Sequence, residues 1–287
     1  MNTGTRNVIE QISEEYYELT AAEKKTADFI LRKPRESQYL SIAELAEESG
    51  VAEATVSRFC RRLGYKGYNA FKLAIANATA HHPGSDEKLS GEVEESDSLE
   101  DMARKRYSTD VAAMTETLNL LRPDQISAAV SILQEAEKVL CMGQGGSMVM
   151  AQEAAHLFST VSGKFFAISD SHLQAIATAN LSDRDVLLFF SYSGATRDLV
   201  DALSVARQQR ARILLITRFA RSPGAGFADL VLCCGSDESP LQLSSVPAKL
   251  AQLFLVDILF SEYCRRDLPT CEAARARVAS ALAEKHL

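Results

Sequence analysis

The sequence has no pair of cysteines spaced Cys-x-x-Cys, although it contains six cysteines among 287 residues. Without that spacing we expect neither a metal site nor a disulfide framework. The sequence also lacks a long apolar run, since those near Val186 and Phe254 are far too short to span a bilayer. Its first residues are polar and lack the apolar segment of an export signal. We therefore expect a cytoplasmic protein with no membrane partner.

Positive charge is scarce over the chain as a whole, because 31 lysines and arginines are outnumbered by 38 acidic residues, for a net charge of −7. Such a balance does not by itself suggest a nucleic-acid partner. The basic residues are nevertheless clustered, since residues 55–72 contain five of them and no acidic residue. Residues 81–100 carry seven acidic side chains and one lysine. We interpret the first segment as a surface for a polyanion and the second as a linker that stays away from it.

Two short helices joined by a glycine-containing turn are predicted after residue 40. Ser41 and Glu44 have the spacing of a capping box, as do Thr20 and Glu23 before an earlier helix that should run to Pro34. The second helix of the pair should start near residue 53. Its inward stripe would be Val56, Phe59, Cys60 and Leu63, and its outward positions would be Ala54, Thr55, Ser57, Arg58, Arg61 and Arg62. This layout is typical of a helix-turn-helix, whose second helix enters the major groove of DNA.

The side chains expected to contact double-stranded DNA fall into two groups. We assign Thr55, Ser57 and Arg58 to base edges or flanking phosphates, and Arg61, Arg62, Lys66 and Lys72 mainly to phosphates. A helical hairpin with a solvated cationic face would show the same pattern, so the residues alone leave that alternative open.

The second half of the chain alternates between short apolar runs and helical stretches. The runs are residues 139–142, 165–168, 186–190, 213–217 and 230–233. Such alternation predicts a parallel sheet with helices on both faces. A long helix is also predicted from Ser98 until Pro123, to pack on this domain or on a partner subunit. Its apolar positions would be Leu99, Met102, Val111, Met114, Leu118 and Leu121.

Two of the apolar runs end in turns rich in glycine and hydroxyl side chains. Residues 143–147, the glycine turn, read Gly-Gln-Gly-Gly-Ser, and residues 191–196, the serine loop, read Ser-Tyr-Ser-Gly-Ala-Thr. Each precedes a predicted helix, whose first amides have no internal partner and favour an anion such as phosphate. In a sheet of order 2-1-3-4-5 the two turns would meet, although the sequence does not prove that order. Hydroxyl groups that only cap the helices are the simpler alternative.

A dinucleotide-binding fold is a rival interpretation, because Gly143 and Gly145 form half of the Gly-x-Gly-x-x-Gly fingerprint. Met148 stands where the third glycine is required, and Asp170 is more simply a helix cap than a ribose ligand. We therefore expect no cofactor.

Residues 41–68 closely resemble the DNA-binding domain of RpiR/MurR-type bacterial transcriptional regulators. The likeness extends upstream through residues 19–23 and 30–34 and downstream to Phe71 and Lys72. The family usually has serine where this chain has Ala52, so we expect the second helix to lack its N-cap, at a cost of about 1 kcal/mol.

Residues 125–262 resemble the sugar isomerase, or SIS, domain, on the glycine turn, the serine loop, Ile216 and Thr217, and the helix around residues 248–260. The resemblance implies an effector site for a phosphosugar, in which Ser147, Ser191, Ser193 and Thr196 hold the phosphate and Ser245 is a weaker candidate. Gln144, Gly145, Tyr192 and Gly194 complete that site, with Gln144 and Tyr192 as readers of the sugar. Asp198 replaces the family's frequent Glu, which leaves no role for that carboxylate.

These features predict an all-α helix-turn-helix domain over residues 1–80, an acidic linker over 81–97, and an α/β three-layer SIS domain with a five-stranded parallel sheet over 98–287. A phosphosugar isomerase needs a positioned base and acid, and His156, His172, Glu153 and Glu238 form no convincing pair. We therefore predict a DNA-binding regulator of sugar metabolism genes, not an enzyme, that forms a homodimer or tetramer. An isomerase with an accessory helical domain is the alternative, and a SIS scaffold whose helical domain binds protein is a third interpretation.

Overall fold

The computed structural model describes residues 8–80, 93–236 and 245–283. These residues fall into two compact units, one made of residues 8–80 and the other of residues 93–236 and 245–283. Most of the predicted acidic linker, residues 81–92, lies outside the described residues, as does the candidate acid or base Glu238. The bounds of the three predicted segments therefore stay a prediction.

The first unit is entirely helical, as predicted. Its α-helices are α1 (Val8–Glu15), α2 (Ala21–Arg32), α3 (Pro34–Ser37), α4 (Ile42–Glu48), α5 (Glu53–Arg62) and α6 (Tyr68–Ala80). Both predicted capping boxes form: the Thr20 and Ser41 side chains accept hydrogen bonds from the backbone of Glu23 and Glu44, whose carboxylates accept in return. The local sequence therefore determines where α2 and α4 begin.

A single apolar core holds these helices together. The predicted inward stripe of α5 is buried in full, and it packs against Phe71 and Ile75 of α6. The rings of Phe59 and Phe71 meet edge to face, with centroids 5.6 Å apart. Burying such a phenylalanine stabilises the fold by roughly 1.5 to 3 kcal/mol, so this contact fixes α5 against its neighbours.

The second unit contains seven helices and five strands among the described residues. The helices are α7 (Leu99–Leu120), α8 (Pro123–Glu135), α9 (Gly146–Ser159), α10 (Ser171–Ala179), α11 (Arg197–Gln208), α12 (Val246–Arg266) and α13 (Leu268–Ala283). The strands are β1 (Lys138–Gly143), β2 (Phe165–Ala167), β3 (Asp185–Phe190), β4 (Arg212–Thr217) and β5 (Leu230–Cys233). All five predicted strands are present within one residue of their expected ends.

The strands form one parallel sheet in the order β2-β1-β3-β4-β5, the order on which the meeting of the two turns depended. Alternate residues of each central strand point to opposite faces. Val186 and Leu188 pack with α8, α9 and α12, whereas Leu187 and Phe189 pack with α11. Because both faces are covered, β3 is buried throughout, and the predicted three-layer α/β fold is confirmed.

Helix α7 begins directly after Ser98, the residue from which a helix was predicted, and Ser98 is its N-cap. Leu99 is 77% exposed and Leu118 is 56% exposed, whereas Ala113 and Thr117 are the buried side chains of this helix. These small residues allow close approach to the rest of the unit. Packing of the apolar positions on a partner subunit, the other predicted outcome, stays a prediction. Among the described residues, no helix has both the length and the apolar content needed to cross a membrane.

Candidate nucleic-acid interface and effector site

Helix α5, the second helix of the helix-turn-helix, and the turn after it expose several of the side chains predicted to contact DNA. Arg58, Arg61 and Lys66 are exposed, and Ser57 is half-buried. Neither Arg61 nor Lys66 makes a hydrogen bond or ion pair with any residue of the described part of the chain. Their charges are therefore available to a polyanion.

Thr55 was wrongly placed among the outward positions, because it is only 7% exposed. It is the third residue of α5, where its side chain turns toward the core instead of the solvent. Its hydroxyl oxygen accepts a hydrogen bond of 3.3 Å from the Arg58 guanidinium. The structure therefore places Thr55 where it can orient Arg58.

Two of the predicted phosphate ligands have partners inside the first unit. The Arg62 guanidinium donates to the Glu18 carbonyl at 2.6 Å and lies 3.5 Å from the Glu23 carboxylate. The Lys72 ammonium donates to the Tyr39 carbonyl at 3.3 Å. These contacts join α5 and α6 to earlier parts of the unit, so both cations have a structural role here.

Glu23 has its charge stabilised from several sides. Burial alone would raise the pKa of this carboxyl, but hydrogen bonds from Thr20 and the positive charges of Arg62 and Arg58 hold that pKa below its usual value. The carboxylate therefore stays ionised at neutral pH and keeps Arg62 in place.

The glycine turn and the serine loop start side by side in the second unit. They follow β1 and β3, which are neighbours in the sheet, and Gly143 is paired with Phe190 at the ends of these strands. Helix α9 begins within the glycine turn and α11 begins directly after the serine loop, so two helix N-termini lie at the same edge of the sheet. This arrangement is the switch point at which doubly wound sheets bind ligands.

The serine loop presents its hydroxyl groups in two ways. Ser191 is buried, and its hydroxyl oxygen accepts a hydrogen bond of 3.2 Å from the Gly194 amide. Ser193 and Thr196 are exposed, and Thr196 occupies the N-cap of α11 without a side-chain cap bond. Ser191 therefore shapes the loop. The Ser193 hydroxyl oxygen also accepts a hydrogen bond of 3.3 Å, from the Ala195 amide, but Ser193 and Thr196 are both exposed where an anion can reach them.

Gly194 can be only glycine in this conformation. Its φ is +60°, and an added Cβ would lie 2.1 Å from the Ser222 hydroxyl and 2.9 Å from the Thr217 hydroxyl. The Gly194 carbonyl also accepts a hydrogen bond of 2.8 Å from the Gly224 amide. The segment after β4 therefore packs against the serine loop. The Ser222 hydroxyl is buried in this contact and has no hydrogen-bond partner among the described residues.

The glycine turn is equally constrained. A Cβ on Gly143 would lie 2.8 Å from the backbone of Ser147, and Gly145 has a φ of +55°. Gln144 donates to the Gln174 side chain at 2.7 Å, and Gln174 in turn donates to the carbonyls of Gly143 and Ile168. Ser147 is half-buried in the first turn of α9.

Two predicted effector ligands have other partners in this structure. The Tyr192 hydroxyl donates to the Ser236 carbonyl at 2.6 Å, and its ring packs edge to face on Phe219. Ser245 is the N-cap of α12, where its side chain accepts from the Ala248 amide. Asp170 caps α10 in the same way, as predicted.

Residues that support the two turns were not identified from the sequence. Gln174 lies 30 residues after Gln144, and Ser222 lies 28 residues after Gly194, and no local pattern marks either residue. Thr217 was noted only as part of the SIS resemblance, yet its hydroxyl donates to the Tyr192 carbonyl at 3.0 Å.

Three of the four candidate acids and bases for an isomerase lie within the described residues, on α9 and α10. The His156 side chain is 74% exposed on α9, 3.7 Å from Glu153, and His172 is exposed in the first turn of α10. Neither histidine donates to or accepts from the serine loop within the described parts of the chain.

Comparison with known proteins gives the family of each unit. The helix-turn-helix domain of the rpiR family matches residues 6–82, and the SIS domain matches residues 132–262. An uncharacterized HTH-type transcriptional regulator of Haemophilus influenzae is 34% identical over 256 residues, 89% of each chain. The HTH-type transcriptional regulator HexR of Escherichia coli is 30% identical over 260 residues, which are 91% of this chain and 89% of HexR.

A solved structure shows the same fold along nearly the whole chain. The Vibrio vulnificus NanR protein complexed with ManNAc-6P is similar with a TM-score of 0.86 and 23% identity, over 98% of this chain and 99% of that one. The two family matches and the identity to curated regulators over most of their length settle the classification. The chain belongs to the RpiR family of HTH-type transcriptional regulators, in which a helix-turn-helix domain precedes a SIS domain.

Proposed function

We propose that this RpiR-family regulator binds a phosphosugar at the glycine turn and serine loop, and that binding changes its affinity for DNA. The observation that carries the proposal is the adjacency of two helix N-termini and the exposed hydroxyls of Ser193 and Thr196 at one edge of the sheet. Partial positive charge and hydroxyl donors together favour a phosphate group. The ManNAc-6P in the NanR complex supports a phosphosugar as the effector class.

The DNA-binding surface that we propose is the exposed face of α5 together with Lys66, which follows that helix. Arg58, Arg61 and Lys66 offer positive charge to the phosphates, and Ser57 lies near the N-terminal end of the helix, where base edges are read. We propose sugar metabolism genes as the targets, and a homodimer or tetramer as the active form, because two DNA-reading heads fix the spacing of two half-sites. Bacterial DNA lies in the cytoplasm, so this function requires that compartment.

The effector site is tested by replacing Ser193 with alanine. We expect the Ser193→Ala protein to keep its DNA affinity in the absence of sugar but to bind the phosphosugar about tenfold more weakly, since a hydrogen bond to a charged group contributes about 1.5 to 3 kcal/mol. Titration calorimetry measures the second quantity and fluorescence anisotropy the first. Ser159→Ala is the matched control, because Ser159 is an exposed serine at the far end of α9. Equal phosphosugar affinities in both variants would remove Ser193 from the site.

An isomerase activity is tested directly by incubating the purified protein with aldose and ketose phosphates. We expect binding without turnover, because His156 and His172 are exposed and make no hydrogen bond with the serine loop in the described part of the chain. Interconversion at enzymatic rates, of about 1 per second or faster, would support the isomerase instead.

A further inference from the structure

Helix α7 is attached to the rest of the second unit through its C-terminal half. Its 22 residues span about 33 Å at 1.5 Å per residue. The side chains buried along it are Ala113 and Thr117, whereas Leu99 and Tyr107, nearer its start, are 77% and 70% exposed. A long helix held near one end amplifies a small rotation at that end into a larger displacement at the other.

The attachment of α7 depends on Gly235, which follows β5. The Thr117 hydroxyl oxygen accepts a hydrogen bond of 3.0 Å from the Gly235 amide, and the hydroxyl group donates to the Ala113 carbonyl at 2.8 Å. A Cβ on Gly235 would lie 2.5 Å from the side chain of Glu116, so glycine is required for this close approach. A displacement of Gly235 therefore requires a displacement of the adjoining residues of α7.

A second contact joins α7 to the end of β4. The Glu116 carboxylate lies 3.0 Å from the Arg218 guanidinium, and both side chains are partly buried. The backbone amide of Arg218 donates to the Tyr192 carbonyl at 3.0 Å. Arg218 therefore contacts both Glu116 of α7 and Tyr192 of the serine loop.

Tyr192 of the serine loop also contacts the segment that contains Gly235. Its hydroxyl donates to the Ser236 carbonyl at 2.6 Å, and Ser236 follows Gly235 directly. Two routes therefore run between the serine loop and α7, one through Arg218 and Glu116 and the other through Gly235 and Thr117. In chain order, α7 is also the first helix after the DNA-binding unit and the predicted linker.

We infer that Glu116 and Thr117 are positioning residues that couple the serine loop to α7 and so transmit effector binding toward the DNA-binding domain. This inference rests on the proposed function, because it presumes that a phosphosugar binds at the serine loop. An effector shifts a conformational equilibrium only by its difference in affinity for the two states. When the loop changes conformation around a phosphate, the contacts of Tyr192 with Arg218 and Ser236 differ between the states, and α7 shifts with them.

The test compares four variants of the full chain. Glu116→Gln removes the charge, Thr117→Val removes the hydroxyl, and Thr117→Ser restores it. Thr115→Val is the matched control, because the exposed Thr115 donates only to the Val111 carbonyl of its own helix. The probes are glucose 6-phosphate, fructose 6-phosphate, arabinose 5-phosphate and ManNAc-6P, with a DNA fragment that the wild-type protein has selected from a random pool. For each protein the Kd for DNA is measured with and without each sugar, and the Kd for each sugar is measured separately.

We expect Glu116→Gln and Thr117→Val to bind DNA and sugar about as tightly as the wild type, within about threefold. For these two variants, however, the ratio of the DNA Kd with sugar to the DNA Kd without sugar should be close to 1. Thr117→Ser and Thr115→Val should keep the wild-type ratio. If Thr117→Val does not fold, Glu116→Gln and Thr117→Ser carry the comparison.

A wild-type ratio in Glu116→Gln and Thr117→Val would overturn the inference, and so would a loss of sugar binding that accounts for the lost response. A wild-type protein that binds DNA but neither binds nor responds to any of the four sugars contradicts the proposed function instead.

Discussion

At Gly194 the backbone conformation and the packing both exclude a side chain. The residue has a φ of +60°, and the Ser222 hydroxyl and the Thr217 hydroxyl fill the space where a Cβ would be. The serine loop is thus held by residues that follow β4. We expect the phosphate binding proposed for this loop to depend on that support, because a site that orients hydrogen-bond donors must itself be rigid.

Replacing Gly194 with alanine should therefore lower the free energy of unfolding by about 2 kcal/mol or more, since the left-handed conformation costs about 1 kcal/mol and overpacking adds about 1 to 3 kcal/mol. Phosphosugar affinity should fall as well. Urea unfolding and calorimetry measure the two effects. Gly226→Ala serves as the control, because nothing lies within 4 Å of a Cβ at that position. Similar stability of the two variants would show that the loop has room to relax.

Arg61 and Arg62 are adjacent in sequence but should differ in role. Arg61 is exposed, whereas Arg62 is bonded to the Glu18 carbonyl and the Glu23 carboxylate. We expect Arg61→Ala to reduce the magnitude of the slope of log K against log salt concentration for DNA binding by about 1. Its free energy of unfolding should change by less than about 0.5 kcal/mol. Arg62→Ala should instead lower the free energy of unfolding by about 1 kcal/mol or more. Anisotropy at several salt concentrations and urea unfolding separate these outcomes, and an unchanged slope in Arg61→Ala would exclude Arg61 from the interface.

Among the secondary-structure elements, α5 has no side-chain N-cap. Its N-cap is Ala52, which offers no side-chain oxygen to the free amides of the first turn, whereas Thr20 and Ser41 cap α2 and α4. The helix is held instead by its buried stripe. In the proposed DNA interface this uncapped end approaches the bases, so we expect the order of the first turn to affect the contacts proposed for Ser57 and Arg58.

Ala52→Ser should supply the missing cap and raise the free energy of unfolding by about 1 kcal/mol. The backbone at Ala52 is already extended, with φ −80° and ψ 150°, as an N-cap requires. The Thr55 amide, which donates to the Ala52 carbonyl at 2.8 Å, would then be shared with the serine hydroxyl. Ala54→Ser, at an exposed position inside the helix, is the control. Thermal and urea unfolding measure the difference, and an Ala52→Ser protein no more stable than the wild type would show that the cap bond does not form.

At the scale of the whole molecule, much of the fold was predictable because its signals are local. The five apolar runs marked all five strands, and the two capping boxes marked the starts of α2 and α4. The strand order was an expectation that only the structure could test, since residues distant in sequence decide which strands pair. Both turns of the candidate site were found because each combines a strand end, glycine and hydroxyl groups in a short segment.

What the sequence did not reveal depends on contacts between distant residues. The packing of Ala113 and Thr117 within the unit was not predicted, because these residues give no apolar signal and Gly235, the partner of Thr117, lies 118 residues away from it. Thr55 was wrongly predicted to face outward because helical spacing alone does not show how many positions in the first turn of α5 are covered by the core. The support of the serine loop by Ser222 depends on the end of β4 lying beside the end of β3.

Binding at one unit affects the other only if the effector has different affinities for two states of the whole chain. Couplings of this kind are commonly about 1 to 3 kcal/mol, which changes an affinity about 5- to 150-fold. The coupling is reciprocal, so DNA should change the affinity for the sugar by the same factor. This reciprocity distinguishes a linked sensor from a protein that binds both ligands independently.

The most direct measurement is the Kd of the wild-type protein for a DNA fragment that it has selected from a random pool, at fixed salt, with and without glucose 6-phosphate, fructose 6-phosphate, arabinose 5-phosphate and ManNAc-6P. Our account predicts that at least one of these phosphosugars changes the Kd about fivefold or more, and that inorganic phosphate at the same concentration does not. A protein that binds its DNA with an unchanged Kd in the presence of every sugar would contradict it.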